Sequence, residues 1–102
     1  MNQSNPLNQK FNLLQKVIDE SHIHLIMDKM LEEVKYKHKK KIEIYNNDLQ
    51  KFEIQYGMKS SSFYEKFEKG LIGDEMDYFE WSGLIELRDS LLKKVKMMEM
   101  EN

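Results

Sequence analysis

Residues 23–56 read IHLIMDKMLEEVKYKHKKKIEIYNNDLQKFEIQY, a stretch that contains neither glycine nor proline. Apolar side chains recur in it at spacings of three and four residues, in one series from Met27 and a second from Ile42. The spacing predicts a helix over about 25–56, which would be ~48 Å long at 1.5 Å per residue. A domain of about 100 residues is only roughly 35 Å across. The apolar seam of this helix therefore calls for another helix of the chain or for a second chain.

The few turn-forming residues outside this stretch mark the other helix ends. Asn5 followed by Pro6 is typical of a helix N-terminus. Gly57 is typical of a helix C-terminus. Ser62 with Glu65 forms a capping-box pattern, and Ser60 or Ser61 would serve as the cap if the helix starts earlier. We expect a break near Ser21 between the first two helices; the alternative is one continuous helix, because residues 21–26 contain neither glycine nor proline. The predicted helices cover about 6–20, 25–56, 62–69 and 75–98.

The predicted fold is one all-α domain over residues 1–102. With four glycines and one proline in 102 residues, the chain has few turn formers, and no segment alternates in the manner of a strand. We expect three to four helices, with the long central helix packed antiparallel on the C-terminal helix in a coiled-coil-like hairpin. The short aromatic helix then folds over the junction between them.

Composition excludes several classes of protein. The absence of cysteine excludes disulfide scaffolds, cysteine nucleophiles and thiolate metal sites. No apolar run approaches the ~18 residues of a membrane span, and the N-terminus does not resemble a signal peptide. A formal net charge of −2 gives no strong bias toward a charged partner. The expectation is a soluble, cytoplasmic protein with no membrane association.

The histidines, carboxylates and glycines form no catalytic pattern. His22 and His24 are two residues apart, so on a helix they point to different sides, and Asp28 completes no ligand set with them. The carboxylates within 74–80 lack a Glu-x-x-His pair, and residues 70–73, GLIG, lack the Gly-Lys-Ser/Thr ending of a phosphate loop. The sequence therefore predicts no enzyme, catalytic residue, cofactor or metal site.

A lysine-rich segment supplies an alternative function. Residues 35–41 read KYKHKKK and contain no acidic residue. Phosphate recognition favours arginine, however, and the one arginine of the sequence is Arg88. The favoured interpretation is a solvated helix face, and the alternative is a helical protein associated with nucleic acid. The residues that would make that contact are Lys35, Lys37, Lys39, Lys40 and Lys41.

Aromatic and acidic residues concentrate between positions 56 and 81. Such a cluster is either the main core or the central part of a protein interface. Core is favoured for Phe63, Phe67 and Trp81, whereas Tyr78 and Phe79 lie about 100° apart on a helix, so one of them faces outward. The candidate partner-binding residues are Tyr56, Phe63, Phe67, Asp74, Asp77, Tyr78, Phe79, Glu80 and Trp81.

The same region resembles small all-helical prokaryotic antitoxin-like proteins. Residues 52–70, FEIQYGMKSSSFYEKFEKG, and 73–81, GDEMDYFEW, are similar to a long helix that ends in a Tyr-Gly-Met-Ser-like turn and a later helix that opens with acidic residues and Glu-Trp. The resemblance covers about the C-terminal half of the chain. The positions that match are Tyr56, Gly57, Met58, Phe63, Phe67, Asp77, Glu80 and Trp81.

The resemblance implies a type II antitoxin that binds and neutralises a cognate toxin-like protein, in a homo-oligomer or hetero-oligomer. Many such antitoxins carry an N-terminal DNA-binding module. Residues 1–24 are too short and too poor in basic side chains to form one alone. Only neutralisation by protein binding is therefore expected.

Overall fold

A computed structural model describes residues 5–100, and these residues form helices with no strand. The prediction of an all-α fold is confirmed. The helices are α1 (Pro6–Val17), α2 (Glu20–Tyr56), α3 (Ser60–Glu68) and α4 (Met76–Met100).

The chain divides into two compact units, with the boundary inside α2. The N-terminal unit is Met1–Val34 and the C-terminal unit is Lys35–Asn102. The first contains α1 and the beginning of α2, whereas the second contains the rest of α2 with α3 and α4. The sequence analysis predicted one domain because a chain of 102 residues matches the commonest domain size.

In the C-terminal unit, α2 packs antiparallel on α4, as predicted. As residue numbers increase along α2, the numbers of the contacting residues on α4 decrease, so the two helices are antiparallel. Salt bridges, hydrogen bonds and ring contacts follow this order from one end of the pair to the other. The contacts are Lys39 with Glu99, Asn46 with Arg88, Phe52 with Trp81 and Tyr56 with Asp77.

The break between α1 and α2 lies at Ile18 and Asp19, just before the predicted position. Ile18 has extended backbone, with φ −127° and ψ 141°. The Asp19 carboxylate accepts a hydrogen bond from the His22 N–H at 3.0 Å, so Asp19 caps the N-terminus of α2. An aspartate is a strong capping residue, which explains why α2 starts at Glu20 rather than after Ser21.

The connection between α2 and α3 also differs from the capping-box prediction. Gly57 ends α2 with a positive φ of 65°, as expected of a helix C-terminus. Helix α3 then begins at Ser60, because the Glu53 carboxylate accepts from the Ser60 N–H at 2.7 Å. A side chain from the preceding helix therefore replaces Ser62 as the cap.

The buried core of the C-terminal unit joins all three of its helices. Its central residues are Leu49 of α2, Phe63 of α3, and Trp81 and Ile85 of α4. Partly buried aromatic and aliphatic side chains surround them. The surrounding residues are Phe52, Tyr56, Met58, Tyr64, Phe67, Ile72, Tyr78 and Leu84.

Candidate functional site

Phe63 and Trp81 form the centre of the predicted aromatic cluster. Their rings stack with centroids 3.9 Å apart and planes within 2°, and neither side chain has exposed surface. The structure thus places both residues in the core, which agrees with the interpretation favoured for them. A partner cannot contact them while the C-terminal unit stays folded.

The buried indole of Trp81 has a hydrogen-bond partner that the sequence analysis missed. Trp81 Nε1–H donates to Ser60 Oγ at 2.9 Å, and Ser60 is itself buried. A buried indole N–H requires an acceptor. Residues 60–62 are three consecutive serines, which the sequence analysis interpreted as helix caps. Their pattern does not indicate which of them accepts from Trp81.

Tyr56 and Asp77 join the ends of α2 and α4. The Tyr56 hydroxyl donates to the Asp77 carboxylate, and both side chains are half-buried. The ring of Tyr78 packs against that of Tyr56, with centroids 5.3 Å apart. These three predicted site residues are therefore brought together, and they hold the helix ends in position.

The hydrogen bond to Asp77 predicts a loss of stability at alkaline pH. Together with burial, it raises the pKa of Tyr56 from 10.0 to about 12. The bond contributes its full stabilisation of the folded state below about pH 10, where the tyrosine of the unfolded chain is still protonated. This stabilisation is lost as the pH rises through about 12, where the folded tyrosine ionises. The free energy of unfolding of the wild type should therefore fall relative to that of Tyr56→Phe between these values.

Urea unfolding followed by circular dichroism at several alkaline pH values measures this difference. Tyr64, whose pKa is also raised to about 12, by a hydrogen bond to Glu68, is present in both proteins, so its effect cancels. A difference that stays constant through this pH range would contradict the prediction.

The exposed part of the predicted site lies at the start of α4. We call Asp74, Glu75, Phe79 and Glu80 the acidic end, which adds Glu75 to three of the predicted site residues. All four side chains are exposed, and Phe79 retains 53 % of its accessible surface. The Phe79 ring meets the ring of half-buried Phe67 edge to face, with centroids 5.5 Å apart and planes at 89°. The acidic end therefore offers a supported aromatic side chain with carboxylates beside it.

The N-terminal unit has an exposed apolar surface that the sequence analysis did not select as a site. Its side chains line a groove of about 330 Å³ between α1 and α2. Helical spacing identified these positions as apolar, but spacing cannot tell whether the chain covers them. We define the N-terminal apolar surface by Leu7, Phe11, Leu14, Ile26, Met27 and Met30.

The lysines of the alternative function lie on α2 in the C-terminal unit. Lys39 forms a salt bridge with Glu99 of α4 at 3.2 Å. Lys40 lies 3.8 Å from Glu43, and its ammonium group lies 5.6 Å from the centre of the Tyr36 ring. Lys35 is half-buried, whereas Lys37 and Lys41 are exposed. Part of the positive charge of this segment is thus neutralised by carboxylates of the same chain.

The two N-terminal histidines each lie beside a carboxylate of their own helix end. His22 Nδ1 is 3.2 Å from Asp19 Oδ1, and His24 Nε2 is 3.8 Å from Glu20 Oε1. Over residues 5–100, no cluster of three or more histidine, aspartate and glutamate side chains could bind a metal ion. No helix in that range is both long enough and apolar enough to span a bilayer.

Comparison with known proteins assigns no family to the chain. It matches no family model, no curated protein and no solved structure. The antitoxin resemblance therefore remains a prediction from residues 52–81.

Proposed function

We propose that this chain is a non-catalytic protein-binding module and that the acidic end of α4 contacts its partner. The observation that carries the proposal is the exposure of Phe79, at 53 %, among three exposed carboxylates. Interface energy is concentrated in a few residues, often aromatic, surrounded by a polar rim. The acidic end has this composition.

The support beneath Phe79 favours binding. Its edge-to-face contact with Phe67 restricts the ring, so less side-chain entropy is lost when a partner covers it. Asp74, Glu75 and Glu80 give the surrounding area negative charge. A partner with an apolar pocket and a basic rim would be complementary to this surface.

The finer proposal is that the partner is a cognate toxin and that the chain acts as a cytoplasmic antitoxin. It is supported by the resemblance of residues 52–70 and 73–81 to small helical antitoxin-like proteins. Two of the matching positions, Phe67 and Glu80, lie beneath or within the acidic end. Neutralisation would then consist of covering a basic surface of the toxin.

Co-expression with the product of the neighbouring gene tests this proposal. The neighbour alone should arrest growth, and the wild-type chain should restore it. Phe79→Ala should weaken binding at least about tenfold, as expected for loss of an interface aromatic residue, and should reduce rescue. Leu87→Ala is the matched control, because Leu87 is 52 % exposed on the same helix but lies outside the acidic end.

Trp81 fluorescence verifies that both variants keep the fold of the C-terminal unit. A harmless neighbour would contradict the antitoxin assignment, and full rescue by Phe79→Ala would contradict the acidic end as its surface. Binding of DNA or RNA at two salt concentrations tests the alternative function. Tight binding that weakens steeply with salt would favour the lysine segment and overturn the proposal.

A further inference from the structure

The N-terminal unit has almost no core of its own. Among its described residues, Ile23 is the one buried hydrophobic side chain, with 9 % exposure. Folded units below about 40 residues usually need oligomerisation, metals or disulfides for stability. The chain has no cysteine, so association is the means of stabilisation that fits this unit.

The N-terminal apolar surface is continuous across both helices of the unit. Leu7, Phe11 and Leu14 follow one another on α1 at spacings of four and three. Ile26, Met27 and Met30 occupy the facing stripe of α2, and all six side chains line the same groove. Exposure ranges from 38 % at Phe11 to 74 % at Leu7. The two helices thus form a layer with one apolar side.

The size of this surface is sufficient for a reversible dimer. A whole aliphatic side chain carries roughly 100 Å² of apolar surface, so six half-exposed ones carry about 300 Å² per copy. Apolar atoms make up about 60 % of an interface, which corresponds to about 500 Å² per copy and ~1,000 Å² for two copies. That area meets the minimum of ~1,000 Å² for a biological interface and falls in the range of weak, reversible dimers.

The charges around the surface are suited to pairing with an identical surface. Two exposed bases and two exposed acids line this groove and the pockets that adjoin it, so two copies related by a two-fold axis can place bases of one opposite acids of the other. A surface adapted to a strongly charged foreign partner would carry mainly one sign. These charged residues are Lys10, Lys29, Glu20 and Glu33.

We propose that the N-terminal apolar surface binds the same surface of a second copy of this chain, so that α1 and the beginning of α2 from each copy form a four-helix layer pair. Two helices with one apolar side are completed by two more helices. A second copy is present wherever the chain is made. It can therefore cover the apolar surface that every copy exposes. This interface involves a different unit from the acidic end, and the inference does not depend on the proposed function.

The oligomeric state of the full chain tests the inference. Sedimentation equilibrium over a range of concentrations should show a dimer for the wild type. Met30→Lys places a charge on the apolar surface of both copies, so dimerisation should weaken at least about a hundredfold, tenfold for each copy. Met97→Lys is the matched control, because Met97 is similarly exposed, at 66 % against 62 % for Met30, but lies on α4.

Trp81 fluorescence and helix content establish that each variant remains folded. A monomeric wild type at all concentrations would overturn the inference, as would a Met30→Lys protein that dimerises as tightly as the wild type. Loss of the dimer in Met97→Lys alone would also overturn it, since the interface would then involve α4. A dimer that fails to bind a partner protein would leave this inference standing and contradict only the proposed function.

Discussion

Replacement of Trp81 by alanine is expected to destabilise the C-terminal unit by about 3–5 kcal/mol, the usual cost of removing a large buried aromatic side chain. Trp81 has no exposed surface and stacks on Phe63 at 3.9 Å. It also packs against Phe52 and Tyr56 of α2, with centroids 5.5 and 5.7 Å away. Its loss would leave a cavity where all three helices of the unit meet.

Urea unfolding followed by far-ultraviolet circular dichroism measures this loss. Phe79→Ala is the matched control, because Phe79 is an aromatic residue of the same helix with 53 % exposure. Its substitution should cost less than about 1 kcal/mol, as is usual for surface positions. Equal losses in the two variants would show that Trp81 is not the centre of the core.

A second variant, Trp81→Phe, separates the ring from its hydrogen bond. It retains an aromatic ring but leaves the buried Ser60 hydroxyl without the indole donor. An unsatisfied buried polar group costs about 1–3 kcal/mol. The free energy of unfolding of this variant should therefore lie between those of the wild type and Trp81→Ala. A Trp81→Phe protein as stable as the wild type would contradict a stabilising role for the bond.

Leu49→Ala is expected to cost about 2–5 kcal/mol, the range for removing a buried leucine side chain. Leu49 is 2 % exposed and is the α2 residue of the central core. Alanine is itself a good helix former, so the loss would report on packing and not on helix formation. The same unfolding measurement applies.

The matched control is Ile54→Ala on the same helix. Ile54 is 76 % exposed, so its truncation should change the free energy of unfolding by no more than about 0.5 kcal/mol. The two aliphatic residues lie five positions apart on one helix, so a difference between their effects on stability reports their different burial. If both substitutions had the same effect, the assignment of Leu49 to the core would be wrong.

Much of the fold follows from local sequence patterns. The absence of glycine and proline from residues 23–56 predicted a long helix, and α2 includes this whole stretch. Gly57 marked its end because a positive φ favours glycine. Antiparallel pairing with the C-terminal helix followed from the apolar seam of the long helix, which calls for a second helix to cover it.

The helix starts depended on contacts that the pattern does not contain. Helix α3 begins at Ser60 because Glu53, seven residues earlier, accepts from its N–H. The acceptor for Trp81 is likewise 21 positions away in sequence. Capping patterns describe neighbours along the chain, so they favoured a start near Ser62 and could not decide between it and the two serines before it.

Periodicity also could not separate covered from uncovered apolar positions. Leu14 and Leu49 both belong to helical apolar stripes, yet Leu14 is 42 % exposed and Leu49 only 2 %. The difference arises because α3 and α4 cover the second stripe, and coverage depends on packing between helices. The same limit applies to the candidate site, where Phe63 and Phe79 were assigned together but lie inside and outside the core.

The arrangement of the core also bears on how quickly the C-terminal unit forms. All four central residues lie between positions 49 and 85, and short connections join the three helices that carry them. Closing short loops costs little chain entropy, and helical proteins with such local contacts fold in microseconds to milliseconds. The core of this unit can therefore form on this timescale without the closure of a long loop.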